Sequence, residues 1–190
     1  MGVTLLMLSG CIPHLYTSDA DTGASWSCGE NDWGGDGPPD DLVGEGWFEG
    51  DVVPDVRGYD QHGDEVCLWQ FYGELVILDI STMWCAPCQD LARGVQETAE
   101  HFADDGVVYL TLLGEDTEGD PSTPENCEEW AGAFGIESPV LTDPSEVRRE
   151  IVTDNSYPRV MVIGRDLSVV IEEIETPTDP EIRAAVEDLL

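Results

Sequence analysis

The sequence predicts an α/β fold in which helices flank a central mixed sheet. Residues 75–80 and 107–113 are apolar runs typical of strands covered on both faces, although one acid interrupts the first. A helical pattern separates them, so we expect a parallel pair joined by a right-handed crossover. Residues 159–163 and 168–174 flank a Gly-Arg-Asp turn, which predicts an antiparallel hairpin and makes the sheet mixed.

The region before this sheet divides into three parts. Residues 1–11 form a short apolar stretch ending in a cysteine, and residues 12–50 are acidic and rich in Gly, which is typical of a flexible linker. We place one domain over residues 51–190. It opens with an N-terminal β-hairpin over residues 52–68, whose turn lies at residues 61–64.

The longest predicted helix follows the first buried strand. Apolar residues recur at spacings of three and four from Cys88 to Phe102, and the helix should end near Gly106. The last helix opens at Asp179. It should bury Ile182, Ala185, Val186 and Leu189.

Two shorter helices are predicted between these. Residues 124–134 follow Thr123, and residues 144–152 follow Asp143, and both preceding residues are good N-caps. Each helix has a Pro at its first position, where no amide hydrogen is needed.

Charge excludes one class of partner. The chain has 41 acidic residues against seven Arg and no Lys, a formal net charge of -34. Such a surface repels phosphate backbones, so nucleic acid is not an expected partner. No run of 18 apolar residues is present to span a bilayer as a helix.

The N-terminus resembles the end of a bacterial lipoprotein signal. An apolar stretch at residues 3–8 leads into Ser9-Gly10-Cys11, which is similar to a lipobox. The resemblance implies lipidation of Cys11 and membrane association through that lipid anchor, on the periplasmic side of a bacterial cell envelope. The alternative is an ordinary apolar N-terminus beside a cysteine.

The cysteine count also fits an exported protein. Six are present, and one would carry lipid while two form a redox pair, which leaves three. We expect Cys28 and Cys67 to form a structural disulfide that ties the N-terminal segment to the domain. Cys127 would then be free, or would replace one of these two.

The chemistry is predicted at two cysteines separated by two residues. Cys85 and Cys88 lie between a buried strand and the first turn of a helix, where the helix dipole favours a thiolate. We expect Cys85 to be exposed and to attack a substrate disulfide, and Cys88 to resolve the mixed disulfide. Asp79, six residues before Cys85, would be a buried base with a raised pKa; the alternative is a solvated strand end.

A zinc site is the main structural alternative for a cysteine pair at this spacing. Zinc needs four ligands, and the remaining candidates are scattered along the chain. These are Cys127, His14, His62 and His101. We therefore predict no metal and no cofactor.

The five residues from Trp84 to Cys88 match the active-site motif of thioredoxins. The surrounding pattern resembles the exported TlpA and ResA type of thiol-disulfide oxidoreductase, which implies a thioredoxin-like fold with an inserted helical segment. The residues that carry this resemblance are Gly50-Asp51, Pro54-Asp55, Asp60, Gly63, Phe71-Tyr72-Gly73, residues 138–143 and Tyr157-Pro158.

The resemblance also implies roles for particular residues. Pro158 would be cis and face the cysteine pair, and the backbone before it would pair with substrate. Asp79 falls on the position of the buried acid of thioredoxins. Tyr157 is larger than the usual Thr or Val. The implied substrate-binding residues are Trp84, Ala86, Pro87, Tyr157 and Pro158.

The implied activity is reduction of protein disulfides in the cell envelope, with electrons from a membrane thiol-disulfide donor and an association with cytochrome c maturation. Two alternatives stay open. Thr82 precedes Cys85 by three residues as in peroxiredoxins, although Leu78 stands where those enzymes have Pro. A copper or haem-maturation chaperone could use the soft thiolates, but no Met-rich or His-rich segment accompanies them.

Overall fold

The computed structural model describes residues 26–190, so the lipoprotein-like signal with Cys11, and also His14, lie outside the described residues. Five strands form one mixed sheet in the order β5-β4-β3-β6-β7. β3 pairs in parallel with β4, and β4 with β5, whereas β3–β6 and β6–β7 are antiparallel. The strands are β3 (Leu75–Ser81), β4 (Val107–Leu113), β5 (Val140–Thr142), β6 (Arg159–Ile163) and β7 (Val169–Ile171).

Both faces of this sheet are covered, which explains the unbroken apolar runs. Every residue of β3 is buried. Leu75 and Ile77 pack with residues of α1, α2 and α4, and the intervening Val76, Leu78 and Ile80 pack on the opposite face with Phe71 and Trp47. These helices are α1 (Ala86–His101), α2 (Pro124–Phe134) and α4 (Asp179–Glu187).

The opposite face is covered by the N-terminal hairpin, as predicted. β1 (Arg57–Tyr59) pairs antiparallel with β2 (Glu65–Cys67). A 3-10 turn, Leu68–Phe71, follows directly and buries Leu68 and Phe71 against the sheet. The hairpin strands are shorter than the sequence pattern indicated, because Val52 makes only a single bridge, to Ser168.

Local signals set the bounds of α2. The Thr123 hydroxyl accepts a hydrogen bond from the Asn126 amide, Pro124 occupies the first turn, and Gly135 ends the helix at a φ of 69°. This left-handed conformation is one that Gly adopts without strain. The helix therefore spans the predicted residues.

The prediction of a helix over residues 144–152 is wrong in its length. α3 (Arg148–Ile151) is a single turn. Glu146 has a φ of 52°, which no α-helix accommodates, and the Asp143 carboxylate accepts from the amides of Val147 and Arg148. α4 ends at Glu187, so Leu189 is exposed rather than buried, and Ala185 is only half-buried.

Residues 26–50, here the N-terminal strap, differ from a free linker. A disulfide joins Cys28 to Cys67, as predicted. The Trp33 indole donates to Asp60 at 2.6 Å, and the side chain of Trp47 is nearly buried and donates to Glu150. This part of the predicted linker therefore packs on the domain.

None of the helices in residues 26–190 combines the length and apolarity that crossing a membrane requires.

Candidate active site

The cysteine pair lies where β3 gives way to α1. Cys85 is the N-cap residue of this 16-residue helix, and its Sγ accepts a hydrogen bond from the amide of Cys88 at 3.2 Å. Pro87 occupies the first turn, where a missing amide hydrogen costs nothing. The same amide and the helix dipole would stabilise a thiolate at Cys85.

The two cysteines are joined in a disulfide, so the structure represents the oxidised form. Cys88 is fully buried and Cys85 is 4% exposed, which corrects the expectation of an exposed Cys85. The reason is a distant loop, because the Tyr157 carbonyl oxygen lies 3.5 Å from Cys85 Sγ. Ala86 and Pro87, which lie between the two cysteines, are exposed. The pair is therefore at the protein surface although its sulfurs have little contact with solvent.

The loop over Cys85 contains the proline that the sequence singled out. The peptide bond between Tyr157 and Pro158 is cis. The Tyr157 ring packs edge-on against Trp84, with ring centroids 5.9 Å apart, and Trp84 is 46% exposed. A cavity of about 400 Å³ adjoins this loop and is lined by Pro87, Leu91, Pro158 and residues 176–180. The structure thus brings all five predicted substrate-binding residues to one surface around the pair.

Asp79 is buried, which rules out the alternative of a solvated strand end. It lies on β3 two residues beyond Ile77, and alternate strand residues share a face, so it faces the side that holds both cysteines. Burial raises its pKa to about 7, although the Ser81 hydroxyl, which donates to it at 2.8 Å, lowers that pKa in part. A carboxylate that titrates near neutrality can take a proton from a thiol.

A network of charges beside the pair was missed from the sequence. Glu115 accepts hydrogen bonds from the Trp84 indole and from Arg148, each at 2.8 Å, and Arg148 also pairs with Asp143. Arg148 is 1% exposed. The position of Glu115 was the available signal, because it lies two residues after the end of β4. β4 pairs in parallel with β3, so both strands end at the same edge of the sheet as the cysteine pair.

The other thiols are separate from this site. Cys127 on α2 is buried and forms no disulfide within residues 26–190, and burial raises its pKa to about 12, which keeps it protonated. Among residues 26–190 one group of three potential metal ligands occurs, Cys28, Glu65 and Cys67, and its two sulfurs are bonded to each other. Neither His62 nor His101 joins Cys85 and Cys88 in such a group within the described residues.

Comparison with known proteins agrees with this geometry. Residues 50–170 match the model of the AhpC/TSA family. The chain is similar to the thioredoxin domain of a thiol-disulfide oxidoreductase from Bacteroides vulgatus, with 17% identity, a TM-score of 0.62 and coverage of 75% of this chain and 97% of that chain. A thiol:disulfide interchange protein from Bacteroides sp. gives 18% identity, a TM-score of 0.62 and coverage of 74% and 89%.

A third similar structure is a secreted disulfide oxidoreductase of Mycobacterium tuberculosis described as homologous to E. coli DsbE. It shares 14% identity at a TM-score of 0.55, over 70% of this chain and 94% of that chain. No curated protein matches significantly. At these identities the likeness is one of fold, and it confirms the thioredoxin-like fold with its central mixed sheet.

Proposed function

The chain belongs to the AhpC/TSA family, and from this premise we propose that it reduces disulfides in other proteins, with Cys85 as nucleophile and Cys88 as resolving thiol. One observation carries the proposal: Cys85 Sγ caps a long helix and accepts the Cys88 amide hydrogen. This arrangement stabilises negative charge on that sulfur, whereas burial alone raises the pKa of the Cys127 thiol.

The first step starts from the reduced pair. The Cys85 thiolate attacks one sulfur of a substrate disulfide, the substrate S–S bond breaks, and the other substrate sulfur leaves as a thiolate that takes a proton from water. A mixed disulfide between Cys85 and the substrate remains. The backbone at Tyr157 lies beside Cys85 and would pair with the substrate chain at this stage.

The second step returns the remaining electrons. Asp79 accepts the Cys88 proton, directly or through water, and the Cys88 thiolate attacks Cys85 Sγ. The mixed disulfide breaks, and the second substrate sulfur leaves as a thiolate and is protonated. The substrate has gained two electrons and two protons, and the protein holds the Cys85–Cys88 disulfide that the structure contains.

We also propose a setting for this reaction. The lipobox-like residues ending at Cys11 would anchor the protein in a bacterial cell envelope, where a membrane thiol-disulfide donor would reduce the pair again. The likeness to a secreted oxidoreductase supports export. The sequence resemblance supports three further parts of the proposal. These are reduction rather than formation of disulfides, a place in cytochrome c maturation, and kinship with the TlpA and ResA type.

The peroxidase alternative has one observation in its favour. Thr82, three residues before Cys85, is buried and its hydroxyl has no hydrogen-bond partner among residues 26–190. Against it, the second cysteine stands in the same helical turn as the first and forms a disulfide with it, the arrangement of a dithiol reductase. Peroxide consumption measured beside insulin reduction separates the two.

The decisive experiment is capture of the covalent intermediate. Cys88→Ser should accumulate a mixed disulfide with a protein substrate at Cys85, identified by mass spectrometry, and Cys85→Ser/Cys88→Ser should not. Cys127→Ala serves as a control for loss of an unrelated thiol and should reduce insulin at close to the wild-type rate. An active Cys85→Ser variant, or binding of Cu(I) by the pair without any insulin reduction, would contradict the proposal.

A further inference from the structure

A buried cation shares a carboxylate partner, Glu115, with Trp84, the residue before Cys85, in a chain that has few cations. Arg148 is one of seven Arg, and its side chain is 1% exposed. It donates to the Glu115 carboxylate at 2.8 Å and to the Asp143 carboxylate at 3.2 Å. Desolvating such a group costs about as much as the pairing returns, so stability alone explains it poorly.

The fold makes room for this arginine next to the active-site loop. A Cβ on Gly114 would collide with the Arg148 Cδ. The Arg148 side chain therefore packs against the backbone at a position where only glycine leaves room for it. The Gly114 amide donates to the Ser81 carbonyl at 2.8 Å, and the Met83 amide donates to the Glu115 carbonyl at 2.9 Å. The backbone at 114–115 therefore runs alongside the loop that leads to Cys85.

Glu115 connects the arginine to the exposed aromatic wall of the site. One carboxylate oxygen accepts from Arg148, and the other accepts from the Trp84 indole at 2.8 Å. Burial raises the pKa of Glu115, but these hydrogen bonds outweigh it and bring that pKa below its usual value, so the group is a carboxylate at neutral pH. Trp84 also packs edge-on against Tyr157, whose carbonyl lies beside Cys85 Sγ.

From this geometry we propose that Glu115, held by Arg148, is a positioning residue that fixes the Trp84 indole as a wall of the protein-substrate cleft. Without this acceptor the half-exposed indole would sample several rotamers. Substrate binding would then have to restrict it to one of them, and the lost conformational entropy would weaken binding. Glu115 thus controls how tightly a protein disulfide binds rather than how fast the sulfurs react. The inference rests on the proposed reductase function.

The test separates binding from chemistry with three substitutions. With insulin as substrate, Glu115→Ala should raise KM about five- to tenfold with little change in kcat, and Trp84→Phe, which removes the indole N–H, should do the same. The double variant should match either single variant, because both remove one hydrogen bond. Glu115→Gln retains an oxygen that accepts from the indole, so it should restore KM while lowering the melting temperature.

A matched control removes an ion pair elsewhere. Glu97 pairs with Arg183 at 3.1 Å and is 78% exposed, so Glu97→Ala should leave KM unchanged. The fluorescence emission of Trp84 is obtained by subtracting the spectrum of the same protein that also carries Trp84→Phe. This emission should shift to the red in Glu115→Ala and not in Glu97→Ala. This readout needs no activity.

Two results would overturn the inference: an unchanged KM in Glu115→Ala when the wild type is active, or KM effects of Glu115→Ala and Trp84→Phe that multiply. An inactive wild type contradicts the proposed function instead, and the emission shift then still decides whether Glu115 positions Trp84.

Discussion

The described part of the chain contains two disulfides in very different settings. Cys85 and Cys88 are three positions apart and open a 16-residue helix, where a backbone amide points at Cys85 Sγ. Cys28 and Cys67 are 39 positions apart and join the N-terminal strap to β2. Only a four-residue 3-10 turn follows Cys67. Both are ordinary disulfide bonds, so we expect their surroundings to decide which one is reduced and re-formed in each catalytic cycle and which one stabilises the fold.

The largest expected contrast between the two is in activity. Cys85→Ser should lower insulin reduction by about 10³-fold or more, because a serine hydroxyl is not ionised near neutral pH. Cys28→Ala/Cys67→Ala should remain within about twofold of the wild type, since neither sulfur lies at the N-terminus of α1. Equal losses in the two variants, measured by insulin precipitation, would erase the distinction.

Stability should show the reverse contrast. Removing a crosslink that closes a loop of 39 residues should cost about 4 kcal/mol of unfolding free energy by the chain-entropy relation. Cys28→Ala/Cys67→Ala should therefore unfold at clearly lower urea concentration than the wild type, whereas Cys85→Ser should not lose a comparable amount. Dithiothreitol supplies the control, because it should destabilise the wild type towards the level of the double variant.

A buried carboxyl, Asp79, also distinguishes the Cys85–Cys88 pair from the structural disulfide. Asp79→Asn should slow the resolution step by about 10²-fold near pH 7.5, because general bases typically contribute that much. In the wild type the rate should rise as pH passes about 7, where this carboxyl ionises. Stopped-flow decay of a preformed mixed disulfide measures the step, and a pH profile shared by both proteins would contradict the assignment.

The same group predicts a pH dependence of stability. Its folded pKa of about 7 lies above the ordinary value of 3.8, so the folded state keeps a proton that the unfolded state has lost. Unfolding free energy of the wild type should therefore fall as pH rises from about 4 to 7. Asp79→Asn should lack this fall and should be more stable than the wild type at pH 8, as measured by urea unfolding at several pH values.

The smallest effect concerns how the strap is held besides its disulfide. Trp33→Phe removes the indole donor to Asp60, whose carboxylate still accepts from the amides of His62 and Asp64. We expect a loss of about 1 kcal/mol and unchanged activity. A larger loss in Trp33→Phe than in Cys28→Ala/Cys67→Ala would show that the disulfide is not the main tether.

Sequence reasoning succeeded where local signals are strong. The start of α2 followed from Thr123 and Pro124. The cysteine pair was placed at a strand-to-helix junction because the periodicity changes there. Buried Asp79 could be predicted because one acid within an apolar strand has no solvated position when both faces are covered.

Features that depend on distant partners were missed. Cys85 is buried by Tyr157, which is 72 positions away, and no local pattern reports that contact. The acidic, Gly-rich composition of the strap indicated a linker and gave no sign of the contacts of Trp33 and Trp47, whose hydrogen-bond partners are 27 and 103 positions away. The sequence indicated Asp143 as a cap, but not that its carboxylate accepts from the amides of Val147 and Arg148 and also pairs with the Arg148 side chain. The break at Glu146, where φ is 52°, was missed for the same reason.

The position of Cys85 at the N-terminus of α1 should make it the most acidic thiol among the described residues. Fully reduced protein should be alkylated with iodoacetamide across pH 4–10, and each cysteine followed by mass spectrometry of its peptide. We expect Cys85 to react first, with an apparent pKa below the value of about 8.5 of a free cysteine. Modification of Cys85 no faster than Cys28, or with the pKa of an ordinary thiol, would contradict it.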